Sequence, residues 1–98
     1  MSFDQLVAED RRLEILRLLA GDPGYSHNDG VIQSALKAMG HAVSRDQLLV
    51  DLAWLKDAGL VKTENVGPVA VARLTRRGLD IAHGDAVVPG IKRPGPEG

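Results

Sequence analysis

The 98-residue chain contains no cysteine. That removes disulfides, thiolate metal sites and a cysteine nucleophile, and makes a reducing cytoplasm the expected compartment. Aromatic residues are almost as scarce, with one Trp, one Tyr and one Phe. The core must therefore be built from Leu, Val, Ile and Ala. No apolar run approaches the roughly 18 residues that would span a bilayer. The chain does not open on a signal-peptide pattern, so no membrane partner is expected. A cationic excess is missing too: 12 Lys and Arg oppose 13 Asp and Glu, a net charge of −1. Overall charge thus does not advertise a nucleic-acid binder.

What is present fits a single globular domain, 44% apolar and 26% charged, with one modest core. The charge is unevenly spread. Residues 1–59 hold six basic against nine acidic side chains, or −3, and residues 60–98 hold six against four, or +2. Any pull on phosphate comes from the C-terminal half, although small proteins commonly carry an asymmetry of this size.

Hydrophobic spacing predicts a first helix over 3–20, with Leu6, Leu13, Leu16 and Ala20 on one stripe and Ile15 and Leu19 beside them. Gly21-Asp22-Pro23-Gly24 ends it. A second helix is expected from about Asn28 to Met39, capped by Ser26 or Asn28, with Val31, Ile32, Ala35, Leu36 and Met39 as its apolar face. Ser44 and Gln47 form a capping-box pattern for a third helix, in which Leu48, Leu52 and Leu55 point inward and which Gly59 ends. Two short strands follow around Asn65-Val66-Gly67-Pro68, then a short fourth helix capped by Thr75 and ended by Gly84. From Asp85 to Gly98, three Pro and three Gly predict a flexible tail after a domain of residues 1–84.

This order is helix, helix, helix, strand, strand, helix: mainly α with a small β-hairpin wing. With Leu48-Leu49-Val50-Asp51-Leu52-Ala53-Trp54-Leu55-Lys56-Asp57-Ala58-Gly59-Leu60-Val61 and the later Arg73 to Ala82, "RLTRRGLDIA", the chain resembles winged helix-turn-helix regulators of the arsenical-repressor and multiple-antibiotic-resistance types. The resemblance covers about residues 4–84 and is closer still to small winged-helix proteins of Mu-like phages and prophages. It implies a double-stranded DNA partner, with the third helix in the major groove, and homodimerisation, here through the first helix.

Base reading requires polar side chains on the third helix. Ser44, Arg45 and Gln47 are the candidates. The opposite face instead offers Asp46, Val50, Ala53 and Asp57, with Asp51 nearer the core edge. Acids there departs from the resembled pattern, and solvation of a surface helix is their simplest role. Phosphate contacts fall to Lys62, Arg73, Arg76 and Arg77. Two arginines in the first turn of the fourth helix oppose its dipole, while Arg73 has Glu64 as a candidate partner across the hairpin. Val50 and Trp54, four residues apart, form a candidate protein-contact patch; the alternative is that Trp54 packs beneath the wing or the first helix.

His27, His41 and His83 are scattered, and none lies in a metal-binding spacing. There is no phosphate-binding glycine loop and no distinguished acid pair. The expectation is a non-enzyme without metal or cofactor. The resemblance implies a DNA-binding winged-helix protein, acting as a phage-type transcriptional regulator or DNA-handling accessory; the alternative is a protein-interaction module on the same fold.

Overall fold

The computed structural model describes residues 2–95. The element order is α1 (Phe3–Ala20), β1 (Ser26–Asn28), α2 (Asp29–Ala38), α3 (Arg45–Asp57), β2 (Val61–Val66), β3 (Val69–Leu74) and α4 (Arg76–Ala82). About half the chain is helical. The expected order is present, with one strand added.

Local chemistry sets most boundaries. Each helix begins at a short polar side chain that accepts a backbone N–H from its first turn: Ser2 for α1, Asn28 for α2, Ser44 for α3 and Thr75 for α4. The reciprocal capping box occurs at Ser2 and Gln5, where each side chain bonds the other's backbone. At Ser44 only half of the expected box forms. Gln47 donates its amide N–H to Ser44 Oγ, but its side chain turns along the helix to Asp51.

The unexpected strand is β1, three residues that sequence reading treated only as a helix cap. It pairs antiparallel with β3, giving a sheet of order β1-β3-β2. So short a strand carries no period-2 signal of its own. Its lead-in residue, Tyr25, has φ 56° and is the one non-glycine with positive φ among the described residues. Such a conformation is costly for a bulky side chain. The Tyr25 carbonyl accepts from the Leu74 amide at 2.8 Å, which fixes the chain at the sheet edge. The β2–β3 hairpin closes on Gly67-Pro68, with Val66 opposite Val69 and Gly67 at φ 60°, the positive value that a tight hairpin turn demands.

Leu13, Ile15, Leu16, Leu19, Ile32, Leu36, Leu48, Leu55 and Leu60 are fully buried and form the centre of the core. Leu6 was expected on the inner stripe of α1 but is half exposed, because that end of the helix runs past the core. Val31 and Met39 likewise lie outward on α2.

The expected flexible tail is corrected over its first part. Ile91 is buried in the core cluster, and the Lys92 amide donates to the Glu9 carbonyl at 3.2 Å. Gly90 lies against Trp54 with φ 97°, where a methyl group would overlap the indole ring. A single isoleucine among prolines and glycines gives no periodicity, so its burial was not legible in the sequence. Residues 96–98 of that tail lie outside the described residues. Ile91→Ala is expected to lower stability by about 2–4 kcal/mol and the melting temperature by roughly 4–8 °C per kcal/mol, measured by circular dichroism. An unpacked segment would give no shift.

Candidate nucleic-acid interface

Two guanidinium–carboxylate pairs hold α3. Midway along it, Asp51 is 2% exposed, and both carboxylate oxygens accept from Arg11 of α1, at 2.6 Å from Nε and 3.1 Å from Nη2. Gln47 adds a third bond at 3.2 Å. Asp51 is therefore a buried tie between helices, placed deeper than the core edge expected for it. At the N-terminus of α3, Arg45 donates through Nε to Asp29 Oδ2 at 2.9 Å, with Nη2 in ion-pair contact with the same oxygen at 2.8 Å, and through Nη2 to the Pro68 carbonyl at 2.9 Å. Asp29 also accepts from the amides of Gly30 and Ala70. One buried carboxylate thus joins α2, α3 and the hairpin.

All three base-reading candidates consequently have intramolecular work. Ser44 caps α3, Arg45 clamps Asp29 to the hairpin turn, and Gln47 supports Asp51. The outward face of α3 carries Asp46, Val50, Ala53 and Asp57, with Lys56 also exposed in its last turn. That surface is acidic and partly apolar, the opposite of what phosphate proximity and base edges favour.

The phosphate candidates lie elsewhere. Lys62 and Arg73 are direct register partners across β2 and β3, next to the Val61–Leu74 pair. Glu64 stands opposite Val71, so the expected Arg73–Glu64 cross-strand partnership is replaced by a pair of cations. Like charges directly opposite one another cost stability. Neither makes an ion pair among the described residues, and Arg77 makes none either. Arg76 has an 87% exposed side chain, with a long contact of 3.6 Å to Asp80. Lys62, Arg73, Thr63, Glu64 and Val71 line a surface groove on the sheet.

The seven candidates therefore fall into two groups at opposite ends of α3. Arg45 reaches the hairpin turn at one end, while Thr75 Oγ1 donates to the Gly59 carbonyl at 2.8 Å at the other. A 13-residue helix separates them by about 20 Å. No continuous basic surface crosses α3. Trp54 is half-buried, stacked under the Arg12 guanidinium, 4.2 Å from the ring centroid, and flanked by Gly90. Its neighbours are α1 and the C-terminal segment; Val50 beside it remains 62% exposed. Sequence reading missed Arg11, Asp29 and Gly90, whose partners lie 40, 16 and 78 residues away in the chain.

A small, four-helix protein with a three-stranded antiparallel sheet and a split charge distribution is the class these features define. Across 93 aligned residues, the chain is 44% identical to the uncharacterized protein gp26 of Escherichia phage Mu, covering 95% of this chain and 96% of that protein. It is 36% identical over 98 residues to an uncharacterized protein of Haemophilus influenzae strain Rd, covering 99% and 95% of the two chains. The protein belongs to the family of phage Mu gp26. No protein-family model matches the chain.

Removing one member of a buried ion pair strands the other charge. Asp51→Ala is expected to cost about 3–5 kcal/mol in urea unfolding, and the double replacement Arg11→Met/Asp51→Leu to recover most of it. Equal losses in the single and double variants would contradict this role for the pair.

Acid should weaken the fold through Asp29 and Asp10. Burial by itself would raise the Asp29 pKa, but Arg45, the Ala70 amide and the Gly30 amide outweigh it and hold the carboxyl below its ordinary value. Asp10 is lowered in the same way, burial being outweighed by hydrogen bonds from His41 at 2.7 Å and Lys92 at 3.3 Å. A carboxyl with a depressed folded pKa stabilises above its unfolded pKa, and that stability is lost as pH falls through the folded value. The urea midpoint should therefore drop below about pH 4. Asp29→Asn should be less stable than the parent at pH 6, with the gap narrowing in acid. A gap independent of pH would contradict the assignment.

Proposed function

We propose that the protein is a phage-type winged-helix DNA-binding protein that holds DNA by its phosphates and does not read bases with α3. The α-α-α-β-β-α order with an added edge strand supports the winged-helix reading. The observation that carries the DNA reading is the opposed Lys62–Arg73 pair, a retained like-charge repulsion that a polyanion would relieve. Arg76 and Arg77 extend the cluster by two further cations a few residues along the chain. A DNA-handling accessory fits this arrangement better than a sequence-specific transcriptional regulator. Ser44, Arg45 and Gln47 act in it as scaffold for the hairpin and α3.

A single cluster of four cations binds weakly, so a second copy is expected to contribute. The exposed first turns of α1, with Phe3 77% and Leu6 50% exposed, are the surface for such a homodimer. A second reading, a protein-interaction module, is favoured by Val50, 62% exposed on an acidic helix. The cytoplasm is the compartment in which any of these roles would operate. Among the described residues no helix is long and apolar enough to cross a membrane.

Fluorescence anisotropy with a labelled random-sequence duplex tests the proposal. Binding is expected at low salt, falling roughly a hundredfold between 50 and 200 mM for four phosphate contacts. Arg76→Ala/Arg77→Ala should reduce the salt slope by about two. Absence of binding at low salt would overturn the reading and leave the interaction module.

A further inference from the structure

Tyr25 stands out. It holds positive φ, at a conformational cost, while its side chain stays 42% exposed in a chain with three aromatic residues. Strained backbone of this kind persists where the surroundings over-determine it, and it concentrates at binding sites. Its surroundings here are the cationic end of the sheet. The Tyr25 carbonyl is bonded to the Leu74 amide, and the next residue, Ser26, is the register partner of Arg73, itself opposite Lys62. An exposed aromatic thus sits one residue from a row of three strands that carries both opposed cations. Beside that row runs the groove lined by Lys62, Thr63, Glu64, Val71 and Arg73.

We infer that this end of the sheet binds nucleic acid with unpaired bases, the backbone along Lys62 and Arg73 and a base stacked on Tyr25. The inference rests on the phosphate-binding reading above and narrows its substrate class to single-stranded DNA. The chemistry is general. Proteins that hold single strands combine a cationic groove with an aromatic face, because every base offers a π surface whereas a duplex hides it. In a duplex the bases are stacked on one another, so Tyr25 contributes nothing there. Glu64 in the groove limits net attraction to phosphate, leaving stacking on Tyr25 as the component that favours single strands over duplex. The positive φ has a use in this account, since it fixes the ring's backbone at the sheet edge before the ligand arrives.

The test compares the full chain bound to fluorescein-labelled oligothymidylate and to a duplex of the same length at equal salt. The single strand is expected to bind several-fold more tightly. Tyr25→Gly, which keeps the left-handed backbone and deletes the ring, should weaken single-strand binding about tenfold, and Tyr25→Phe should change it by less than about twofold. Duplex binding should be indifferent to both. If Tyr25→Gly does not fold, as judged by circular dichroism, Tyr25→Asn serves instead, because Asn also tolerates this backbone. A single strand bound no better than the duplex, or bound equally by the Tyr25→Gly variant, would overturn this inference while leaving the phosphate reading intact. Failure of both forms of DNA to bind would overturn both.

Discussion

The Asp51 carboxylate stays in the core because Arg11 meets both of its oxygens, and the position of α3 follows from that pair. An unpaired carboxylate at 2% exposure would be prohibitive. Pairing ties the middle of α3 to α1, so the helix can neither rotate about its axis nor slide along the core without breaking two short bonds. Once α3 is fixed in that rotation, Leu48, Leu52 and Leu55 face inward, and Asp46, Val50, Ala53 and Asp57 face out. The Arg45–Asp29–Pro68 clamp then sets where the hairpin turn lies relative to the helix.

These two pairs also bear on the proposed function. Under the proposed winged-helix reading α3 would be the reader of DNA, yet Ser44, Arg45 and Gln47 also make bonds that hold the fold. Arg45 is held through Nε by Asp29, a carboxylate whose depressed pKa reflects how strongly its partners favour the charged form. Positive charge is gathered instead at the far end of α3, where β2, β3 and α4 meet. Arg11, Arg12 and Arg45 bond or stack on acids, an indole or a carbonyl, whereas the side chains of Arg73 and Arg77 make no hydrogen bond or ion pair among the described residues.

Much of the architecture was legible because it is written in local pattern. Thr75, Ser44 and Asn28 are cap residues that announce themselves before apolar runs, and Gly67-Pro68 announces the hairpin. The features that were not legible depend on distant partners. Ser26–Asn28 becomes a strand only because β3 offers an edge, and Ile91 joins a core cluster whose other buried members all lie earlier in the chain. The candidate site suffers the same limit. An arginine next to a helix cap reads as a DNA contact until Asp29, 16 residues earlier, is found against it. Lys62 and Arg73 were picked out individually, but their opposition follows from a register that puts Glu64 across from Val71.

Mapping the contact surface directly is the decisive measurement: amide chemical-shift changes across the isotope-labelled chain on titration with a short DNA oligonucleotide. The account predicts the largest changes at Lys62, Arg73, Arg76 and Arg77, with the outward positions of α3, Asp46, Val50, Ala53 and Asp57, little altered. Changes centred on that outward face of α3, or no changes at low salt, would contradict it.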